Sequence, residues 1–250
     1  MFARTTARLF TGAFKALFSD FDGFLRIVWA WYALVAVLGV LGTLLAANSI
    51  AVGFVVVAVW LCSSASIAVA WHRNLLLGER PGPVNLSFGR REIAYLGKTL
   101  LAFLIMLIPS IVVMTVATLF MQGWMGLVIA AGILVLLILP SFMRLCLILP
   151  ATALDEPLGI SDAFYRSEGL GLPMALAGVG TGLCIGAVDM VLSVVANTIG
   201  GGAVFAAIAV LILSLALQIA LTALQIGILS GGYYILRERD MAPPAAPPAD

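Results

Sequence analysis

The chain is 250 residues long, 63% hydrophobic and only 10% charged, with a net charge of +1 and a mean hydropathy of +1.16. Soluble domains hold roughly 45–50% apolar and about 25% charged residues, so the composition excludes an ordinary soluble domain and describes a polytopic membrane protein. The net charge of +1 says nothing about nucleic acid, which is not expected as a partner; membrane lipids are, with partner proteins or a second copy of the chain as further candidates.

Near its start the chain carries an amphipathic segment that runs into "TGAFKALFSDFDGF" (11–24); Phe10, Phe14, Leu17, Phe18 and Phe21 follow helical spacing beside Arg4, Arg8 and Lys15. That pattern predicts an interfacial helix over about residues 5–20, aromatic face in the headgroup boundary and bases toward anionic lipid. The first apolar run starts at Phe24 and is about 22 residues long, beyond the roughly 7–15 of a secretory signal core, so it stays as a span. Six such runs are long enough to cross a bilayer as helices: about 24–46, 50–71, 93–121, 125–149, 172–197 and 203–236. They are continuous rather than alternating, which rules out a β-barrel and makes the fold all-α.

His72 and Arg73 stand at the end of the second run beside Trp71, where Trp and bases anchor spans at the boundary. The lone histidine could instead ligate a tetrapyrrole. Before the third run, "NLSFGRREIAYLGK" predicts a second interfacial helix over about 86–97. In the fourth, Pro140 leaves the carbonyl of Leu136 without its helical donor. Arg144 lies about five residues from the inner end, within reach of it by snorkelling; an anchor and an anion-binding residue are both open readings. The following connection, "ALDEPLGISDAFYRSEG", holds four of the twelve acidic residues. It predicts a third interfacial helix over about 159–168, with Ser161 or Asp162 as N-cap, Gly169 and Gly171 ending it before Pro173, and its charges as a solvated face.

In the fifth run Gly178, Gly182, Gly186, Asp189, Ser193 and Asn197 fall within an arc of about 100°, and in the sixth Ser214, Gln218, Thr222 and Gln225 within about 80°. Two facing polar stripes can line a solute path, or they can glue helices together by close glycine contact and hydrogen bonds. At seventeen residues from Leu172, Asp189 is about 25 Å deep, level with Ser193, Ser214 or Gln218 as partners. The final "APPAAPPAD" predicts a disordered tail over 241–250, after a single six-helix domain over 1–240.

All thirteen Lys and Arg residues fall at one set of ends of the six runs, whereas "AANSI", "MQGWM" and "TIGGGA" carry none. Positive residues stay in the cytoplasm, so both termini are expected there. The three amphipathic segments, each before a pair of runs, read as three units of interfacial helix plus hairpin. Cys62, Cys146 and Cys184 sit inside apolar runs as packing residues. With one histidine there is no two-histidine zinc motif, and neither a Walker A loop nor a G-x-S-x-G elbow occurs.

The amphipathic opening with "AFKALF", the six runs and "RLCLILPATALDEPLGISDAFYRSEG" together resemble a broad group of bacterial membrane proteins, the YciC-like proteins and the membrane domain attached to some glycerophosphodiester phosphodiesterases. Their arginine, proline and small-plus-aromatic helix map here to Arg144, Pro150, Ala163, Phe164, Ser167 and Gly169. The resemblance implies an inner-membrane protein of unassigned function. The phosphodiesterase domain has no counterpart here.

These features lead to a non-enzymatic accessory protein that organises lipids or partner proteins, needing neither cofactor nor metal. The alternative is a small-solute or ion transporter in which Asp189 and Arg144 line the path, with Ser193, Gln218 and Gln225 as further candidate binding residues. An intramembrane lipid enzyme would need a nucleophile and base that the sequence does not display.

Overall fold

A computed structural model describes residues 2–45, 50–120, 123–199 and 204–241, and among them the chain is all helix with no strand. The first helix, α1 (Phe2–Ser19), leads directly into α2 (Phe21–Leu45), followed by α3 (Ile50–Leu77) and α4 (Arg90–Phe120). The fourth apolar run is divided into α5 (Trp124–Ile133), a π-turn (Leu134–Ile138), α6 (Leu139–Leu145) and α7 (Ile148–Ala153). A short return helix, α8 (Ile160–Arg166), precedes α9 (Gly171–Ile199) and α10 (Val204–Met241). Six stretches are long and apolar enough to cross a membrane: Phe21–Leu38, Ile50–Leu77, Arg90–Ala117, Trp124–Ala153, Gly171–Val195 and Leu213–Met241. They match the six expected runs, and helices are the form in which an open chain satisfies its own backbone in hydrocarbon. The three uncharged connections lie wholly or partly outside the described residues, as does the tail beyond Met241.

Prolines account for the divided fourth run. Pro140 has no N–H to give Leu136, and the chain answers with a wider turn in which Leu139 N–H donates to the Leu134 carbonyl, while Ser141 Oγ donates to Leu137 at 2.9 Å. Pro150 repeats the problem for Cys146. There the helix breaks at Cys146–Leu147 and restarts as α7, in which every residue from Ile148 to Ala153 is buried.

Consecutive long helices pack on each other, α2 on α3, α4 on α5 and α9 on α10. Further contacts of α10 with α3, of α6 with α9 and of α4 with α6 close a ring, and α7 packs inside it against α3, α4 and α10. Almost all buried side chains lie at the end of the bundle that carries the arginines and lysines, hereafter the basic end. Toward the other end large side chains stand open, Ile50 at 79%, Ile108 at 70% and Met190 at 70% exposed, as befits surfaces covered by lipid tails.

The three amphipathic segments behave differently from one another. α1 forms as expected, but it turns Leu9, Ala13 and Leu17 onto α9 and α10 rather than lying free. Small residues make the seat: a Cβ on Gly180, Gly227 or Gly231 would meet Phe10, Ala13 or Leu9 at 3.3, 3.3 and 3.0 Å. Phe18 stays exposed. The second segment is not a separate helix. Residues 86–88 continue an irregular connection, Glu92 caps the Gly89 N–H at 2.8 Å, and helix then runs through α4, the long apolar sequence after Leu96 carrying it on past Pro109, which removes one backbone donor without ending the helix. The third is α8, shorter than expected at both ends. Its N-cap is Gly159, not Ser161 or Asp162, and it stops at Arg166, with Gly169 (φ +78°) in the turn that leads to α9.

Candidate functional site

The polar side chains within the bundle were the sequence's candidate sites, and the structure gives three of them, Asp189, Arg144 and Gln225, protein partners. Asp189 on α9 accepts a hydrogen bond from Ser214 Oγ of α10 at 2.6 Å. Among the described residues neither Ser193 nor Gln218 joins it: Ser193 is half-buried and Gln218 exposed. The side chain of Asn197 lies outside the described residues. About three turns nearer the basic end, Gln225 Nε2 donates to the Gly178 carbonyl at 3.0 Å and to Thr181 Oγ1 at 3.1 Å. A Cβ at Gly178 would stand 3.0 Å from Gln225 Oε1, so the glycine is what lets the amide approach. Gly182 and Gly186, by contrast, face open space, with no atom within 4 Å of a Cβ placed there.

Arg144 is engaged by the protein itself. Its Nε donates to the Phe164 carbonyl at 2.9 Å, a second guanidinium nitrogen donates to the same oxygen, and the guanidinium lies 4.0 Å from the centroid of the Phe164 ring. A carbonyl near the C-terminal end of a helix carries partial negative charge, which suits a cation. Arg144 therefore pins α8 to α6. Gly171 is required beside it, since a Cβ there would meet the Pro140 carbonyl at 2.5 Å.

His72 is a correction to the boundary reading: it is fully buried, between α4 and α10. Ser230 Oγ gives its one hydrogen to the Ile226 carbonyl at 2.9 Å, so toward His72 Nδ1, at 2.8 Å, it can only accept. Nδ1 therefore carries the ring hydrogen, and Nε2 accepts from the Tyr95 hydroxyl at 3.3 Å. With both nitrogens engaged, neither can ligate a tetrapyrrole metal. The neighbouring Trp71 donates its indole N–H to the Ala223 carbonyl at 3.2 Å.

The charged connection 153–169 was expected to be a solvated face; the structure makes it the hub of an ionic layer at the basic end. Asp155, in the left-handed region (φ 60°) that aspartate tolerates, turns its carboxylate to Arg91, whose Nε lies 3.0 Å from both oxygens. Arg73 reaches the same carboxylate at 3.6 Å, donates to the Ala153 carbonyl at 2.9 Å and pairs with Glu79. Hydrogen bonds from these arginines hold the Glu79 and Asp155 carboxyls below the usual carboxylate range. On the far side Glu156 takes Arg237 at 3.3 Å and the Tyr233 hydroxyl, Arg166 pairs with Asp240, and Arg239 donates to the Glu168 carbonyl at 2.9 Å. Sequence reasoning missed this layer because the partners come from different connections. The one signal available was that acids concentrate in one connection and bases in the others.

Compared with family models, with curated proteins and with solved structures, the chain has no match.

Proposed function

We propose that this chain is a non-enzymatic accessory protein of the bacterial inner membrane, with both termini cytoplasmic, which organises lipids and partner proteins at its basic end. The observation that carries the reading is that the ionisable groups available for transport, Asp189 and Arg144, are engaged in holding helices together. The bases of α1 and the aromatic side chains around them supply a lipid-facing surface, and each base near an anionic leaflet attracts by about 1 kcal/mol. The architecture goes with this reading as three pairs of consecutive spans, the first and third led in by α1 and α8. The resemblance to the YciC-like proteins goes with the inner-membrane location alone.

In vesicles of phosphatidylcholine and phosphatidylglycerol, the protein should gather fluorescent phosphatidylglycerol around itself, measured by energy transfer. The Arg4→Gln/Arg8→Gln/Lys15→Gln variant should not. Equal gathering by both would remove the lipid-organising role from α1.

One observation favours the second reading, a solute or ion path along α9: Gly182 and Gly186 face open space on the stripe that contains Asp189. Asp189→Asn separates the two. As glue, Asn keeps most of the hydrogen bonding and should match the wild type in abundance, melting temperature and host growth, while Asp189→Leu loses roughly 0.6–2 kcal/mol. A growth defect in the Asn variant at normal abundance and melting would transfer the assignment to transport.

A further inference from the structure

Among the described residues, the basic end holds the following two cavities. The larger, of about 270 Å³ between the 156–158 turn and the end of α10, has its charges matched, Arg166 with Asp240 and Arg237 with Glu156. The smaller, of about 190 Å³, lies between the end of α3, the 78–89 connection and the start of α4, and its groups do not balance. Arg73 is engaged by Glu79, Arg91 by Asp155, and the buried Glu92 by the Gly89 N–H. That leaves two groups in the lining. Asn85 accepts from Ser87 through Oδ1, but its Nδ2 is buried without a hydrogen-bond partner, and Arg80 has no acceptor among the described residues. A buried donor left unpaired costs about 1–3 kcal/mol, so an occupant is favoured. Both leftover groups are donors and one is a cation, so the occupant is an anion with acceptor oxygens.

The surroundings narrow the anion. Val84 and Leu86 flank Asn85 in the chain and Leu77 ends α3 two residues before Glu79; all three are about half exposed, at 51%, 49% and 48%, and supply apolar surface on the connection that carries the cavity, at the inner ends of two spans. Trp29 of α2 fixes the connection there by donating its indole N–H to the Pro83 carbonyl at 2.8 Å. At about 30 Å³ per water, the cavity has the room of roughly six waters, enough for a phosphate and a small polar head but not for an acyl chain. A free ion would have no use for that apolar surface; a lipid's glycerol and first methylenes would lie along it. We infer that this cavity binds the phosphate head of an anionic membrane lipid, its oxygens taking Arg80 and Asn85 Nδ2 and its chains leaving over Val84 and Leu86.

The inference deepens the lipid reading above and places the contact on α3 and α4, away from α1. The full-length protein, purified in a non-ionic detergent, is titrated with phosphatidylglycerol and, separately, phosphatidylcholine, with retained lipid counted by native mass spectrometry. A parallel titration uses inorganic phosphate alone. One phosphatidylglycerol should be retained more tightly than phosphatidylcholine. Arg80→Gln should weaken it about tenfold and Asn85→Ala several-fold. Arg90→Gln, which removes an exposed arginine outside the lining, should leave it unchanged. All three variants should melt as the wild type does in detergent, and Asn85→Asp, which keeps the shape but adds a negative charge, should weaken retention more than Ala. Equal weakening by Arg90→Gln, or no preference for phosphatidylglycerol, would overturn the site. Phosphate binding with the same variant dependence but no retained lipid would overturn the lipid as its source. Equal lipid gathering by the wild type and the α1 variant, with this retention intact, would sink only the earlier reading; α1-dependent gathering with no preference for phosphatidylglycerol here would sink only this one.

Discussion

The sharpest energetic test concerns His72. Ser230→Ala removes the acceptor of Nδ1–H in a site with 0% exposure. Leaving a buried donor unpaired costs about 1–3 kcal/mol, and interhelical hydrogen bonds in membrane proteins average about 0.6 and reach about 1.7 kcal/mol. The Ser230 contact is short and wholly inside protein, so about 1–2 kcal/mol is expected. The Tyr95 contact at 3.3 Å is long, and Tyr95→Phe should cost less, about 0.5 kcal/mol. His72→Leu strands only the Tyr95 hydroxyl, because Ser230 keeps its bond to Ile226. The His72→Leu/Ser230→Ala double variant should therefore be no less stable than His72→Leu alone, a coupling equal to the whole Ser230→Ala cost. The measurement is SDS-driven unfolding of the purified protein in mixed micelles, followed by far-UV circular dichroism. Costs that add to within about 0.3–0.5 kcal/mol would refute the hydrogen-bond chain, since additivity marks independent sites.

Arg144→Lys keeps the charge but loses the fork and the stacking on Phe164, and should speed amide hydrogen exchange in 160–170 while leaving α3 protected; unchanged exchange would remove the pinning role. A cysteine at Ile50 or Gly123 should react with an impermeant thiol reagent applied to intact cells and one at Gly82 should not, and labelling at Gly82 would invert the orientation. The depressed Glu79 and Asp155 carboxyls contribute stability that is present above the ordinary carboxylate pKa and lost as pH falls through the lowered values. Melting temperature in detergent should thus hold from neutral pH to roughly 5 and drop below about 4. The drop should be smaller in Glu79→Gln/Asp155→Asn, and an identical acid limb there would place the sensitivity elsewhere; because both groups are largely exposed, screening keeps the effect modest.

The spans were legible because apolar length is a one-dimensional property, and Asp189's partner was legible because depth is too: matching depths put Ser214 among its candidates. What depth cannot encode is helix rotation, so Ser193 and Gln218, also on the polar stripes, did not join. His72 was misread for a related reason. A histidine between Trp71 and Arg73 has the same sequence signature whether it meets headgroups or a buried serine 158 positions away. Arg144 was open between two readings because its partner is the Phe164 backbone carbonyl, which no residue type announces. The second interfacial helix failed because "FGRREIAYLGK" is amphipathic whether it lies flat or begins a span, and the long apolar sequence after it, helical through Pro109, decides for the span.

The π-turn before Pro140 can be understood as a device of phase. Each extra residue in a helix turns everything beyond it by about 100°, and a π-turn holds one residue more than an α-turn. Within the turn, Leu136 and Leu137 point outward at 58% and 63% exposure; downstream, Arg144 points in, across to α8. One uniform helical ladder would carry the outward register forward and aim the arginine more than a quarter-turn off, away from Phe164. Shortening residues 134–138 by one would thus make a more regular helix and a worse protein, because the irregular turn is where the span changes its facing from lipid to interior.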